Sequence, residues 1–307
     1  MRANSGHLVR PVVFDLRGAA NTGLGRVARE TVAAYQALFP NDPVVVLREG
    51  GGMYSWRAQW EWRALRRTYP DAVWVWFHWD VPLFAAPERS VVYVHDLIVT
   101  DSAFTPWHKR QVAQRWIART CDIATELVTV SKATADQLRA QYGRTATVIP
   151  NGVSQTFRAP WTPSDYLLTV GEPRGYKNFE MAARVAQALG VPHRHAWGVP
   201  EQELHALYAN ARVVLIPSRA EGFGLPLLEA FAVGAPVVAS NILALKEVAA
   251  GLAAHVAPDD FAGWSEAVRS TWEESGDPDA RRKHADTFTW ERAATYLRHR
   301  ILAATMR

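Results

Sequence analysis

Two carboxylates, Glu221 and Glu229, bracket seven residues in Glu221-Gly222-Phe223-Gly224-Leu225-Pro226-Leu227-Leu228-Glu229. A carboxylate accepts two hydroxyl hydrogen bonds, the chemistry needed to hold a ribose or hexose diol. Gly222 and Gly224 let the backbone approach a ligand, and Pro226 suits the first position of a helix, where a missing N–H is no loss. The amides that open such a helix attract an anion. Upstream, Arg174 and Lys177 stand three residues apart. One supplies a fork for two phosphate oxygens and the other a mobile point charge. Diol acceptors and phosphate donors together describe a sugar-nucleotide site. A solvated loop charge, a first-turn acid and a basic turn before a helix are the plainer readings, and spacing alone does not separate the two.

These residues need strands and helices to position them. Val213-Val214-Leu215-Ile216 is short, branched and apolar, the pattern of a strand buried on both faces of a parallel sheet. Glu221 falls in the loop after it, and Glu229 about one turn inside the next helix. Tyr166-Leu167-Leu168-Thr169-Val170 places Arg174 and Lys177 likewise, ahead of a helix predicted from Asn178 to Leu189. The alternation runs along the whole chain. Strand patterns at residues 12–15, 44–47, 72–77, 91–94 and 127–130 are joined by helical periodicity over 25–38, 106–122 and 133–142, and later ones by a helix over 201–209, another after Pro226 and a strand over 236–239. Strands alternating with helices imply doubly wound parallel sheets with sites at the carboxyl ends of their strands. Pro150-Asn151-Gly152 and the proline-bearing stretch 159–164 read as a linker. The expected division is a first domain over 1–157, a second over 158–288 and a closing helix over 289–307, with Thr289 as its N-cap.

Further motifs appear in order: Thr22-Gly23-Leu24-Gly25-Arg26, Val94-His95-Asp96-Leu97, Val130-Ser131-Lys132-Ala133-Thr134, Val148-Ile149-Pro150-Asn151-Gly152-Val153, Arg174-Gly175-Tyr176-Lys177-Asn178 and Ala235-Pro236-Val237-Val238-Ala239-Ser240. With the two-glutamate segment, this ordered set covers nearly the whole chain. It resembles the landmarks of the group-one (family four) retaining glycosyltransferases and is mannosyltransferase-like. The resemblance implies an α/β GT-B fold, two Rossmann-like doubly wound parallel-sheet domains facing a cleft. The first domain would take the acceptor, the second the nucleotide-sugar donor, and the last helix would cross back onto the first domain. The implied activity is retaining, metal-independent transfer of a hexose or deoxyhexose from a nucleotide-diphosphate sugar, a substrate rather than a cofactor. The acceptor would be a glycan, a lipid-linked glycan or a small-molecule natural product.

On that resemblance Arg174 and Lys177 stabilise the departing diphosphate. Glu221, with Gly222 and the amides of Phe223, Gly224 and Leu225, addresses the sugar and diphosphate, and Glu229 holds the nucleotide ribose. Val199, in Trp197-Gly198-Val199-Pro200, lies against the base. Gly23 and Gly25 bring backbone amides toward the diphosphate. His95, at the carboxyl end of a strand, is placed to hydrogen-bond the transferring sugar or the acceptor hydroxyl, or else is a packed polar residue. His78 has a similar position with less support, and Ser131 is expected to cap the helix after it. One departure stands out. Between Leu189 and Glu201 the family has a strand, a helix and another strand, and only Gly190 to Pro200 remains here. A donor domain shortened in this way also fits a noncatalytic nucleotide-sugar-binding module or an assembly partner of a glycan-synthesis complex. A sugar-nucleotide epimerase is a third reading.

The chain of 307 residues is long enough for two cores of ordinary size. It contains no apolar run of membrane-spanning length, and Met1 to Arg10 lacks the apolar core of a signal peptide, so a cytoplasmic place is expected. The single cysteine, Cys121, forms no internal disulfide and reads as a buried small hydrophobe. A net charge of +4 and a pI near 9.3 suit an acidic partner. The scattered basic residues argue against nucleic acid. Gly23-x-Gly25-x-x-Ala28 follows its strand too distantly for a dinucleotide turn. Asp277-Pro278-Asp279 is expected in a surface loop rather than at a metal, and His193-Arg194-His195 has too few partners for one. The tryptophan- and arginine-rich stretch from Trp56 to Trp79 reads either as packing beneath solvated arginines, the favoured expectation, or as contact with a carbohydrate acceptor or the inner membrane face as a peripheral surface.

Overall fold

The computed structural model describes residues 8–17, 23–51, 55–82, 87–154, 157 and 160–306. The chain divides into two compact units, Met1–Gly152 with Trp290–Arg307, and Val153–Thr289.

The first unit runs β1 (Val12–Asp15), α1 (Gly23–Leu38), β2 (Val44–Leu47), α2 (Trp56–Thr68), β3 (Val73–Trp76), β4 (Ser90–Val94), α3 (Trp107–Ile123), β5 (Glu126–Thr129), α4 (Lys132–Tyr142) and β6 (Thr147–Val148). The six strands pair in parallel in the order β2-β1-β3-β4-β5-β6. β1, β3, β4 and β5 are buried along their whole length, as their branched, apolar sequences require. Trp74 and Trp76, two apart on one face of β3, stack with ring centroids 5.5 Å apart. Ser131 caps α4 by accepting from the Thr134 amide, as the sequence predicts, and Gly143 ends the helix in the left-handed region.

The second unit contains β7 (Leu167–Val170), α5 (Phe179–Leu189), β8 (His193–Ala196), α6 (Glu201–Asn210), β9 (Val213–Ile216), α7 (Leu225–Val233), β10 (Val237–Ser240), α8 (Leu243–Ala249), β11 (Ala254–Val256), α9 (Phe261–Glu273) and α10 (Pro278–Ala285). Its parallel sheet has five strands in the order β11-β10-β9-β7-β8. β8 is the one element that Gly190 to Pro200 supplies. The surface loop expected at Asp277-Pro278-Asp279 is instead the start of α10. Asp277 is its N-cap, accepting from the Asp279 and Ala280 amides, and Pro278 occupies the first turn.

The closing helix, α11 (Trp290–Thr305), belongs to the first unit and packs on α1. Trp290, Ala293, Ala294, Leu297, Ile301 and Ala304 form its buried stripe at helical spacing. Arg298 reaches Asp42 at 2.7 Å, and Tyr35 donates to the same carboxylate at 2.8 Å. Burial works against the charged Asp42, but these hydrogen bonds overcome it and hold its pKa below the usual carboxylate range.

Candidate functional site

In each sheet the chain winds first to one side and then crosses back, so the order reverses between two neighbouring strands. In the second unit that reversal lies between β7 and β9. Open α/β sheets bind ligands at the carboxyl ends of such a pair. The loop after β7 carries Arg174 and Lys177, and the loop after β9 carries Ser218 and Glu221, so both predicted segments meet here.

The two loops are tied to each other. Lys177 Nζ lies 2.6 Å from Glu221 Oε1, which also accepts from Ser218 Oγ at 2.8 Å. The Arg219 amide donates to the Tyr176 carbonyl at 2.7 Å. Residues 175–177 form one 3-10 turn that Asn178 closes at φ +54°, and its side chain donates to the Pro258 carbonyl at 2.9 Å. Asparagine tolerates this left-handed conformation better than most side chains. Arg174, in contrast, is half exposed and pairs with Glu172 at 2.6 Å rather than joining Lys177.

Gly222, Phe223 and Gly224 then lead into α7. Gly224 adopts φ +100°, and a Cβ there would lie 2.5 Å from Leu245 Cδ2, so only glycine fits. The Leu227 and Leu228 amides return to the Gly224 carbonyl, and the amide of Leu225 heads the helix. At the other end, Arg281 and Arg282 donate to the Gly234 and Val233 carbonyls, cations where the helix dipole favours them. Glu229 sits one turn into α7, buried, and accepts from Tyr208 Oη at 2.7 Å. Val199 follows β8 and is half-buried beside an exposed Trp197. His193 and His195 of β8 lie 2.9 and 3.0 Å from Thr169 Oγ1. Burial lowers the pKa of both. Among the described residues no group of three or more His, Cys, Asp or Glu side chains is placed to hold a metal ion.

The remaining predicted residues belong to the first unit. Gly23 opens α1 and is exposed, with nothing within 4 Å of a Cβ built on it, whereas Gly25 is buried; Thr22 lies outside the described residues. His95 follows β4 and is 7% exposed. Its Nε2 donates to the Phe77 carbonyl at 2.9 Å, and its ring stacks on Tyr93. Burial, then the neighbouring His78, pushes its pKa down to about 3, so the imidazole is neutral at physiological pH.

Apart from His78 and the tryptophans, sequence reasoning passed over the members of a further cluster in this unit. Its sheet reverses between β1 and β3, and there Asp15, Arg17, His78 and Asp80 converge with Trp62 and Trp76 around a cavity of about 20 Å³. Arg17 holds Asp15 at 2.7 Å and Glu61 at 3.0 Å. Trp62 Nε1 donates to Asp15, and His78 Nδ1 lies 2.7 Å from Asp80 Oδ1. Asp15-x-Arg17 and His78-x-Asp80, each with ionisable groups two apart at a strand end, were the available signal. The packing expected of the tryptophan-rich stretch holds for Trp62, Trp74, Trp76 and Trp79. It fails for Trp56 and Trp60, which are 71% and 66% exposed.

Two doubly wound parallel sheets, each with one reversal point, define a protein of GT-B architecture. Residues 10–157 match the family described as glycosyltransferase family 4, and residues 163–287 that described as glycosyl transferases group 1. The chain belongs to the group 1, family 4 glycosyltransferases. It is 41% identical over 108 residues to O-antigen chain mannosyltransferase B of Escherichia coli, covering 33% of this chain and 28% of that one. It is 27% identical over 271 residues to a glycogen synthase of Mycobacterium tuberculosis, covering 74% of this chain and 64% of that one. The matches thus span less than two thirds of either relative. Among solved structures, the sucrose-phosphate synthase of Thermosynechococcus elongatus superposes with a TM-score of 0.76 at 15% identity, over 94% of this chain and 98% of that one. HepE of Anabaena, solved with UDP and glucose, gives 0.70 at 13% identity, over 94% and 98%. At these identities the structures speak for the fold.

Proposed function

We propose that this glycosyltransferase is a retaining, metal-independent hexosyltransferase. It moves a hexose or deoxyhexose from a nucleotide-diphosphate sugar to a glycan, lipid-linked glycan or natural-product hydroxyl. The observation that carries the reading is the tie between Lys177 and Glu221 at the β7/β9 reversal, beside the N-terminus of α7. The bond from the anomeric carbon to the diphosphate breaks, and its electron pair leaves with the phosphate. Lys177, Arg174 and the helix-opening amides stabilise that growing negative charge. The acceptor oxygen attacks from the same face, and its proton passes to the departing phosphate oxygen. Glu229 holds the ribose diol, with Tyr208 fixing its carboxylate, and Glu221 addresses the sugar. Val199 lies against the base, Gly23 and Gly25 offer backbone amides to the diphosphate, and His95 hydrogen-bonds the transferring sugar or the acceptor hydroxyl.

The exposed pair Trp56 and Trp60 shares a helical stripe with Arg63 and Arg67. That combination supports peripheral contact with an anionic membrane from a cytoplasmic position, where an acceptor on a lipid would be presented. Sedimentation with anionic vesicles tests it: Trp56→Ala with Trp60→Ala should abolish binding, and unchanged binding would refute the contact.

A donor screen tests the activity. Guanosine, uridine, thymidine and adenosine diphosphate sugars are added to wild type and Glu229→Ala, and melting shifts and released sugar are measured with and without EDTA. One donor should stabilise the wild type more than the variant and be slowly hydrolysed whether or not EDTA is present. No stabilisation by any donor would sink the reading. Stabilisation without transfer or hydrolysis, across a wide acceptor search, would mark a binding module instead.

A further inference from the structure

The cavity at the β1/β3 reversal is lined by two residues, Asp80 and Trp76, that each carry a buried polar atom without a hydrogen-bond partner among the described residues. Asp15 has both oxygens taken by Arg17 and by the Trp62 indole. Glu61 is held by Arg17, Arg57 and the Gly51 amide. Asp80 differs. It is 4% exposed, its Oδ1 faces His78, and its Oδ2 has no hydrogen-bond partner among the described residues. Trp76, on the wall of the same cavity, has an indole N–H that is likewise unpaired. A buried acceptor or donor left without a partner forfeits its hydration with nothing in return, so such groups mark a place that something else fills.

The chemistry limits the occupant. Asp15, Glu61 and Asp80 line or back the cavity with Arg17 already shared between two of them, so an anion is excluded. A hydroxyl answers both unmatched groups, because it donates and accepts at once. It suits Asp80 in either protonation state; burial raises the pKa of this carboxyl. Size narrows the choice further. A volume of about 20 Å³ is close to what one water-sized group needs, so a single hydroxyl or hydroxymethyl arm enters and a pyranose ring does not. The indoles and Phe77 around it offer apolar faces to the carbons that bear the hydroxyl.

We propose that this pocket is a subsite for one hydroxyl or hydroxymethyl arm of the carbohydrate acceptor, with Asp80 Oδ2 accepting from the arm and the Trp76 indole donating to it. Its assignment to the acceptor rests on the transferase reading; binding of the arm itself does not, and is measured without donor or turnover.

The test is ligand-observed NMR and crystal soaking with the methyl glycosides of mannose, glucose and galactose, each beside its 6-deoxy counterpart. Wild type, Asp80→Asn and Trp76→Phe are compared, the last keeping the ring and removing only the N–H. At least one glycoside should bind, losing tenfold or more in affinity in its 6-deoxy form and in each variant that melts like the wild type. Its arm should appear in density beside Asp80. Donor-induced melting shifts should be the same in all three proteins. The proposal is overturned if no glycoside binds at about 50 mM, well above a millimolar Kd, if deoxy forms and variants bind equally, or if density shows only an ordered water. Loss of donor response in the variants, with glycoside binding kept, would overturn the assignment to the acceptor.

Discussion

The two sheets reverse direction in the same way and line the reversal with opposite chemistry. Between β7 and β9 the second unit offers donors: Lys177, the half-exposed Arg174 and the opening of α7. Between β1 and β3 the first unit offers an acceptor, Asp80 Oδ2, behind an arginine whose charge is already spent. Topology therefore decides where a crevice opens, and the side chains two to eight residues past the strand ends decide what enters it. The cation is the sharpest contrast. Arg17 is 3% exposed and locked between two carboxylates, a part of the wall. Lys177 is 16% exposed and paired to Glu221, a geometry a phosphate can share.

Replacing each cation by the unbranched apolar chain of methionine breaks or sharpens that contrast. Arg17→Met leaves Asp15 and Glu61 without their counter-charge and should cost about 3–5 kcal/mol of unfolding free energy in denaturant melts. A loss under 1 kcal/mol would mean that Asp15 and Glu61 do not depend on Arg17 for neutralisation. Lys177→Met should fold nearly as well as wild type and lower kcat by roughly 10²- to 10³-fold. A large stability loss with intact kcat would reverse the roles. Gly224→Ala places a Cβ against Leu245 in a left-handed backbone, and a loss of about 1–3 kcal/mol is expected, with weaker donor binding. Unchanged melting and donor affinity would remove α7 from the phosphate site.

The smallest effect concerns His95. Its pKa is about 3 in the folded protein, below the ordinary 6.5, so the unfolded chain takes up the proton first as pH falls. Stability should therefore drop as pH falls from 6.5 toward 3, with His95 contributing on the order of 1–2 kcal/mol by pH 5. His95→Gln should flatten that slope. An unaltered slope would mean that His95 takes up its proton in the folded protein at the same pH as in the unfolded chain.

The second crevice was far more legible in the sequence than the first. Its residues lie in two short segments, each directly after an apolar strand, so spacing alone placed Lys177 and Glu221 at strand ends. What spacing did not reveal was Tyr208 beneath Glu229, which comes from α6 and meets it only through tertiary packing. Nor did it separate Arg174 from Lys177, because two cations three apart on an irregular turn need not point the same way. The first crevice draws on β1, α2 and β3, and its partners are 47 residues apart in the case of Asp15 and Trp62. Such a cluster has no local period. The tryptophans of α2 illustrate the same limit: Trp62 turns inward and Trp60 outward, although composition treats them alike. β8 and α10 went unread for a simpler reason. His193-Arg194-His195-Ala196 is polar for a strand at the sheet's edge, and Asp277-Pro278 reads as a turn until its amide bonds are seen.

The closing helix also bears on how the chain reaches this structure. The first unit is discontinuous: α11 supplies Arg298 to Asp42 and Arg300 to Glu126, across 256 residues in the case of Asp42. During synthesis from the amino end, α1 must wait for its partner until the whole second unit has been made. The second unit is one uninterrupted stretch and is free to fold on the ribosome first. Until then the apolar face of α1 stays uncovered and the Asp42 carboxylate lacks its arginine, so a nascent chain is most exposed to misassembly and proteolysis in the half whose sequence comes first.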